Sequence, residues 1–298
     1  MALAHATGGV IVNADSMQVY RQLPILSARP SAADEADVPH RLFGFADAYQ
    51  PFSVARWLDA ARPVLAALNA EGKLAIVTGG TGLYFKALEE GLAAAPTSEP
   101  EMRAAARRRR ETLGAEAFYT ELVALDPASA VLAPGDTQRT LRAWEVVTRS
   151  GRGLTDWQEG GEAVPVIEPK RTRRYVIDIE RSLLYERIDT RFDQMIAAGA
   201  VEEARVFWAE SPDPLLPAAR ALGMPQFKRM FDGEMTPDEA VFDAKLKTRR
   251  YAKRQSTWFR NQTASWERLQ AGETSDLANT ILNGIGLKAC DSPAHQTD

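Results

Sequence analysis

The sequence predicts an α/β protein whose parallel sheet is interrupted by a block of helices. Two strand-like segments, VIVNAD from Val10 and LAIVT from Leu74, flank a segment with helical apolar spacing. Strands that alternate with helices in this way are typical of a parallel sheet. No further strand signal occurs until RYVIDIE at 174–180. We therefore expect a helical insertion within the α/β core.

Turn and capping signals justify the elements in order. MALAHATGG is typical of the end of a helix closed by Gly8 and Gly9. Ser53 is the expected N-cap of the helix in FSVARWLDAARPVLAALNAEGK. We expect the second strand to be buried. The segment TGGTGLY, which follows that strand, is a Gly-rich turn into another helix. The linker-like APTSEP leads into helical segments over 99–158. SLLYERIDTRFDQMIAAGAVEEARVFWAE predicts one or two helices, and helix continues to about residue 264.

These segments divide the chain into two units and a tail. Residues 1–95 and 170–264 are expected to form the α/β core with its C-terminal helices. Residues 96–165 are expected to form the helical insertion, and residues 265–298 a weakly patterned tail.

The composition excludes several classes of protein. The chain has 298 residues, of which 45% are hydrophobic, as is usual for a soluble globular core. Its single cysteine, Cys290, excludes a disulfide framework and argues against a cysteine metal cage. The first residues lack a basic leader followed by an apolar core, and no run approaches the roughly eighteen apolar residues of a membrane span. We expect a cytoplasmic protein with no membrane partner, and a monomer by default.

Positive charge is concentrated in three segments, although the formal net charge is −4. KLKTRRYAKRQSTWFR at 245–260 has seven basic residues and no acid, with Tyr251, Trp258 and Phe259 interleaved. The others are RAAARRRR at 103–110 and KRTRR at 170–174. One such cluster is often a solvated helix face, but three in an acidic chain favour a nucleic-acid surface.

Polar side chains follow the first strand where it ends. Ligands of open α/β sheets bind beyond the carboxyl ends of the strands, so Asp15 occupies a position where chemistry often takes place. An Asp after a strand is also a common turn former or helix cap. The glycines of TGGTGLY would let a ligand approach the backbone, although a tight strand-to-helix turn needs glycine anyway. Neither GxxxxGK[ST] nor GxGxxG occurs in the chain.

Several motifs, taken in order, resemble the tRNA dimethylallyltransferase (isopentenyltransferase) family. They span roughly residues 1–262 and are NADSMQVYRQLPILSARPS, PHRL, VTGGTGLYFKALEEGL, DTQRTLRAWEV, RIDTRFDQMIAAG and AKRQSTWFRN. The resemblance implies a P-loop NTPase-like core. It also implies transfer of a dimethylallyl group from dimethylallyl diphosphate to the N6 amine of the adenosine 3′-adjacent to the anticodon, in tRNAs that read codons starting with U.

The resemblance implies roles for individual residues. Asp15 matches the family's base, and Arg191 matches the arginine that meets the diphosphate, with Mg²⁺ as cofactor and no assigned metal ligands. Without the resemblance, Arg191 fits a surface ion pair with Glu186 or a neighbouring acid equally well. The helical insertion would grip the anticodon stem. Besides Asp15, the residues that match tRNA contacts are Ser16, Met17, Gln18, Thr81, Arg103, Gln138, Arg139, Thr140, Leu141, Arg142, Lys253, Arg254, Gln255 and Arg260.

The chain departs from the family pattern in two places. The family's first strand and phosphate loop precede the helix that ends in ALAHATGG, and both are missing here, so we expect the polypeptide as given to be catalytically poor or inactive. ALGMPQF at 221–227 replaces an aromatic and a basic residue, so no contact is assigned to Met224 or Pro225.

Two other functions remain alternatives at this point. One is a non-catalytic tRNA-binding remnant, and the other is a relative of small-molecule P-loop kinases. The basic segment 245–260 argues against the kinase, because a metabolite kinase has no use for it.

Overall fold

The structure, a computed structural model, describes residues 1–92, 95–96, 98–160 and 163–286. Cys290 and the last part of the predicted tail lie outside the described residues. No helix within the described part of the chain is long and apolar enough to cross a membrane.

A three-stranded parallel sheet carries the first half of the chain. β1 (Val10–Asn13) lies between β2 (His40–Arg41) and β3 (Ala75–Thr78). The predicted parallel sheet is confirmed, and β1 is buried throughout, as its β-branched residues suggest. β3 was expected to be a buried strand, but it is only half-buried and its last residue is exposed. As the edge strand of this sheet, β3 has a neighbour on one side only.

Four helices accompany these strands: α1 (Ala2–Thr7), α2 (Ala32–Asp37), α3 (Val54–Ala70) and α4 (Gly82–Glu90). The predicted signals are confirmed at two of them. Gly8 ends α1 in the left-handed conformation, and the Ser53 hydroxyl caps α3 by accepting the Arg56 N–H.

Trp57 ties α3 to the end of β1. Its side chain is fully buried, and its indole N–H donates to the carbonyl of Asn13 at 3.0 Å. The same ring stacks on Tyr84 of α4, with ring centroids 4.2 Å apart. Helices α3 and α4 are thereby both fixed at the carboxyl end of the central strand.

The chain divides into two compact units, of which Glu89–Val166 is one. Within its described residues this helical unit has no strand, in agreement with the sequence pattern. A cluster of Leu122, Ala143 and Val147 forms part of its core. Its helices are α5 (Pro100–Leu113), α6 (Ala115–Leu125), α7 (Thr137–Ser150) and α8 (Leu154–Gly160), with a 3-10 turn at Pro127–Val131.

The other unit comprises Met1–Leu88 and the chain from Ile167 onward. The third predicted strand is present as β4 (Tyr175–Asp178), but it pairs in parallel with β5 (Glu267–Gln270) rather than with the first sheet. The predicted weakly patterned tail therefore begins with a strand, and a helix follows it. ERLQ carries little apolar alternation, so pairing with β4 makes it a strand.

Helices account for most of the second half of this unit. The stretch predicted as one or two helices forms two, α9 (Arg181–Ala197) and α10 (Ala200–Ala209). They are separated at Gly199, whose φ of 102° ends the first helix. The remaining helices are α11 (Met224–Phe231), α12 (Pro237–Gln262) and α13 (Thr274–Gly284).

Candidate functional site

Asp15 lies two residues beyond β1, where the strand opens into a loop. Its Oδ1 accepts the N–H of Met17 at 2.8 Å and that of Gln18 at 3.4 Å. Asp15 is therefore the turn former that the sequence allowed. The other oxygen, Oδ2, faces Gly80 and has no hydrogen-bond donor among the described residues. One carboxylate oxygen orders the loop, and the other is available for chemistry.

The Asn13 side chain holds the backbone of Asp15 through hydrogen bonds. Asn13 was not among the predicted site residues. It is fully buried, and its Oδ1 accepts the Asp15 N–H at 2.8 Å. Its Nδ2 donates to the carbonyls of Asp15 and Leu42, both at 3.0 Å. A buried amide must find such partners. An amide at the end of the apolar run VIVN was the signal that could have found it.

The Gly-rich turn approaches the Asp15 loop so closely that two of its glycines have no room for a side chain. A Cβ at Gly79 would lie 2.2 Å from the backbone carbonyl carbon of Ala14. One at Gly80 would lie 2.1 Å from the Gln255 amide nitrogen and 3.4 Å from Asp15 Oδ2. These glycines serve close backbone packing, which is the simpler of the two interpretations of this motif.

Thr81 joins the turn to the loop from the other side. Its hydroxyl accepts the N–H of Ser16 at 2.9 Å and donates to the Ser16 hydroxyl at 3.1 Å. The structure thus brings together Asp15, Ser16 and Thr81, three of the predicted site residues. In this arrangement the hydroxyls of Ser16 and Thr81 are hydrogen-bonded to each other.

Gln18 is also held within the loop. Its side-chain Nε2 donates to the carbonyls of Ser27 and Ala28, at 3.1 and 2.9 Å. The predicted tRNA contact cannot use these two donor hydrogens without opening the turn. Met17 is half-buried beside it.

Helix α12 is seated on the Gly-rich turn. The Gln255 side chain donates to the Gly80 carbonyl at 2.8 Å. The Trp258 ring covers Gly82, where a Cβ would lie 2.2 Å from the ring. Two aromatic residues that the sequence analysis associated with nucleic acid, Trp258 and Phe259, therefore contribute to packing, the second against Phe85.

A groove of about 550 Å³ runs along the exposed side of α12. Lys253 and Arg254, two of the predicted contacts, line it and are exposed, and Arg260 is exposed nearby on the helix. The complete lining is Arg250, Lys253, Arg254, Thr257, Trp258, Asn261 and Gln262. Three cations, an indole and two amides make a surface suited to an RNA backbone and unstacked bases.

Tyr251 precedes Gln255 by one helical turn and lies within electrostatic reach of Asp15. Burial raises the pKa of the Tyr251 phenol above its usual value, and the Asp15 carboxylate raises it further. The Arg254 guanidinium, 5.8 Å from the ring centroid, acts in the opposite direction. In the sequence, Tyr251 stands out only as one of the aromatic residues interleaved in the basic segment 245–260. No local pattern could have related it to residue 15.

Arg191 is exposed on α9 and pairs with no acid among the described residues. The alternative ion pair with Glu186 is not formed within that set. The neighbouring acids pair with α12 instead, Asp189 with Arg249 in a bidentate arrangement and Asp193 with Lys245 at 2.6 Å. No contact between Arg191 and Asp15 is present in the described part of the chain.

The remaining predicted contacts lie in the helical unit. Gln138 and Arg139 are exposed on the first turn of α7, and Arg103 is half-buried on α5. Arg142 is largely taken up inside the unit, because it donates to the Ser98 hydroxyl and the Pro96 carbonyl, each at 2.8 Å. Burial accordingly lowers the pKa of Arg142.

Two residues of this stretch are poorly placed for the predicted contact. Thr140 is fully buried, and its hydroxyl donates to the Asp136 carbonyl at 2.8 Å. In this arrangement the Thr140 side chain is not accessible for the predicted tRNA contact. Leu141 is half-buried.

The described residues provide no set of side-chain ligands for the predicted Mg²⁺. The described residues contain no group of three or more His, Cys, Asp or Glu side chains that could hold a metal ion. The strand end offers one carboxylate and two hydroxyls, those of Asp15, Ser16 and Thr81. This donor set does not fit an ion held by the protein alone.

The chain matches one family profile and several curated tRNA dimethylallyltransferases. The IPP transferase family profile matches residues 18–262. The chain is 47% identical over 268 residues to a tRNA dimethylallyltransferase of Rhodopseudomonas palustris strain BisB18, which covers 90% of this chain and 84% of the relative. It is 46% identical over 286 residues to a tRNA dimethylallyltransferase of Rhodospirillum rubrum, with 96% and 87% covered.

Solved structures agree with this result. The full-length tRNA isopentenylpyrophosphate transferase of Bacillus halodurans superposes with a TM-score of 0.67 at 30% identity, over 95% of this chain and 89% of that one. A eukaryotic dimethylallyltransferase studied while acting on tRNA gives a TM-score of 0.77 at 21% identity, over 98% and 77%. The second likeness concerns the fold alone. Together they confirm the predicted α/β fold with its large helical content.

The Tyr251 hydroxyl should ionise at lower pH when the charge of Asp15 is removed. A nearby carboxylate disfavours the phenolate, so Asp15→Asn should lower the Tyr251 pKa. The measurement is a tyrosinate absorbance titration, in which the signal of Tyr251 is isolated by subtracting the matching Tyr251→Phe protein. Asp59→Asn, which removes an exposed charge on α3, should leave the midpoint unchanged. Equal Tyr251 midpoints in the unsubstituted chain, Asp15→Asn and Asp59→Asn would mean that the Asp15 charge does not influence Tyr251.

Proposed function

The chain belongs to the IPP transferase family, the tRNA dimethylallyltransferases, and on this premise we propose that Asp15 is the general base in the transfer of a dimethylallyl group to tRNA. The acceptor is the N6 amine of the adenosine 3′-adjacent to the anticodon, in tRNAs that read codons starting with U. The observation that carries this assignment is that the two carboxylate oxygens of Asp15 have different environments. Its Oδ1 is fixed by two backbone N–H groups, and Oδ2 is directed towards Gly80 at the end of the sheet.

The reaction needs a base because an exocyclic adenine amine is a weak nucleophile. In the transfer, a bond forms between N6 and the allylic carbon, while the carbon–oxygen bond to the diphosphate breaks. The diphosphate leaves with the electron pair, and the N6 proton passes to Asp15 Oδ2. An anticodon-loop base must be unstacked before it can reach the carboxylate. Ser16, Met17 and Gln18 form the surface beside which that base would lie.

The donor side of the reaction is assigned to Arg191. Its exposed guanidinium has no competing acid among the described residues, so it is free to meet the departing diphosphate. A Mg²⁺ ion that arrives with the diphosphate would neutralise charge on the leaving group. Because no protein cage for the ion is present in the described residues, no step is assigned to it.

The RNA side of the reaction is assigned to the α12 groove and to the helical unit. Lys253, Arg254 and Arg260 present positive charge along one helix, which suits the phosphates of an anticodon arm. Arg103, Gln138 and Arg139 of the helical unit are proposed as further contacts. A cytoplasmic location and a monomeric state remain parts of this proposal.

The experiment that tests the function is a single-turnover assay with the 298-residue chain in excess over tRNA. Labelled dimethylallyl diphosphate and Mg²⁺ are added, and the tRNA nucleosides are analysed by mass spectrometry. Slow formation of dimethylallyl adenosine at the position 3′ of the anticodon is expected, because the sequence predicts a catalytically poor chain. Binding of the anticodon arm without transfer would instead favour the tRNA-binding remnant. Absence of both would overturn the proposal.

Asp15→Asn should abolish transfer and preserve tRNA affinity. The substitution keeps the shape of the turn, and its side-chain oxygen can still accept the Met17 N–H, but an amide cannot take the N6 proton. We expect a loss of about 100-fold or more in the transfer rate, with Kd for the anticodon arm unchanged. Asp59→Asn serves as the control. Turnover retained by Asp15→Asn would reject Asp15 as the base.

Arg191→Ala should weaken use of the diphosphate donor more than RNA binding. Loss of one charge-assisted contact is expected to raise KM for dimethylallyl diphosphate by about tenfold or more. Arg187→Ala is the matched control, because Arg187 lies one turn earlier on the same exposed face of α9. Equal donor dependence of the two variants would contradict the assigned role.

Removal of charge at Lys253 and Arg254 should flatten the salt dependence of tRNA binding. Each phosphate contact contributes roughly 0.7 to 0.9 to the slope of log K against log salt, so Lys253→Gln with Arg254→Gln should reduce the slope by about 1.5. The control pair is Lys228→Gln with Arg229→Gln, two exposed cations that pair with Asp232 and Glu234. An unchanged slope would make the α12 segment a solvated face.

A further inference from the structure

A carboxylate from a distant helix holds the loop that follows Asp15. Glu203 of α10 accepts the backbone N–H of Ile25 with Oε2 and that of Leu26 with Oε1, each at 2.8 Å. Residues 25 and 26 belong to neither helix nor strand, so no ladder or helix supplies partners for these two donors. Two adjacent N–H groups need two acceptors, and a carboxylate offers both.

The turn that Glu203 holds also carries Gln18. The carbonyls of Ser27 and Ala28, directly after the two anchored residues, accept both donors of the Gln18 amide. The backbone N–H of Gln18 in turn reaches Asp15 Oδ1 at 3.4 Å. Hydrogen bonds and the short backbone segment 25–28 therefore connect Glu203, through Gln18, to the carboxylate at the strand end.

Side-chain packing anchors the same turn. Leu26 is buried, and a Cβ added at Gly223 would lie 3.0 Å from its Cδ2. Ile25 lies near Gly199, where α9 gives way to α10. Burial of Leu26 holds the turn against the helices, whereas the carboxylate of Glu203 sets the orientation of its backbone.

The position of Glu203 is costly for a charge, which argues that it is more than a surface acid. Burial raises the pKa of its carboxyl, while the two backbone N–H groups and the nearby Arg29 act against that rise. Glu202, the preceding residue, shows the contrast: it is exposed and pairs with Arg205 one turn away. The two acids are neighbours in sequence but perform different tasks.

From this geometry we propose that Glu203 is a positioning residue for tRNA binding, acting through the 25–28 turn and Gln18 on the loop from Asp15 to Gln18. The inference rests on the proposed function, because that loop is the one to which the target base is assigned. Thr81 fixes the loop at Ser16, and Glu203 fixes it from the opposite end. A base that approaches this loop thus meets a surface ordered in advance, which lowers the entropic cost of binding.

Glu203→Gln tests this proposal, with Glu202→Gln as the matched control. The amide keeps the length of the side chain but supplies only one acceptor, so one backbone N–H loses its partner. Affinity for a labelled anticodon stem–loop should fall by about tenfold, and the amides of residues 16–18 and 25–28 should exchange hydrogen faster. Glu202→Gln should change neither. Unchanged exchange and affinity in Glu203→Gln would overturn the proposal.

A double-mutant cycle separates positioning from a general loss of stability. Gln18→Ala breaks the same set of hydrogen bonds, so the double variant should bind the stem–loop no more weakly than the weaker single variant. Additive losses would mean that Glu203 acts elsewhere and would overturn the proposal. If Glu203→Gln does not fold, Glu203→Asp, which keeps both acceptors on a shorter stem, is used in the same cycle.

Failure of the inference and failure of the proposed function look different in this experiment. If the unsubstituted chain does not prefer the anticodon stem–loop over an unrelated hairpin, the proposed function fails and the inference falls with it. If the chain binds the stem–loop and Glu203→Gln binds equally well, only the role of Glu203 is rejected.

Discussion

The structure of the site depends on the register between two parallel strands. Asn13 at the end of β1 pairs with Thr78 at the end of β3, so the two loops that follow leave the sheet at the same level. Their backbones then approach so closely that Gly79 cannot carry a Cβ. Asp15 is consequently held by main-chain contacts on several sides. A shift of one residue in this register would turn the acid to the other face.

Packing of aromatic residues, rather than ion pairs, fixes α12 over these loops. The pair between Lys245 and Asp193 joins α12 to α9, but the acid is mostly exposed, and such pairs contribute only about 0 to 1 kcal/mol. Trp258 over Gly82, and Phe259 against Phe85, are half-buried and remove part of their apolar surface from water, which stabilises the contact by roughly 25 cal/mol per Å². The aromatic residues of the basic segment therefore hold the helix in place, which leaves its cations free to face the groove.

Local signals predicted the elements well, because each depends on neighbours in sequence. Ser53 caps α3, Gly8 ends α1, and the β-branched run forms β1. The pairing of strands was harder to predict. The segment β5 becomes a strand because it pairs with β4, which lies about ninety residues earlier in the chain. Such long-range contacts leave no trace in the periodicity of a short polar segment.

The site was predicted in part for the same reason. Asp15 was found because its position at a strand end is a local property. Thr140 was assigned to RNA from its motif, although it shares the buried stripe of α7 with Ala143 and Val147, a spacing visible in the sequence. Tyr251 lies within electrostatic reach of Asp15, and Glu203 binds the backbone of Ile25; each pair is more than 170 residues apart in sequence, so only the folded chain could reveal it.

The two functions of Asp15 within its loop are coupled by geometry. Because Oδ1 is held by the N–H groups of Met17 and Gln18, the direction of Oδ2 is set by the same backbone to which the proposed function assigns the target base. Movement of that backbone would displace the acid and the binding surface together. Helix α12 contacts the Gly-rich turn through Gln255, and its Tyr251 lies within electrostatic reach of Asp15, whereas the cations of the groove lie on its exposed side. In the proposed function, recognition of the base and removal of its proton therefore both depend on this loop, and capture of the RNA backbone depends on the α12 groove.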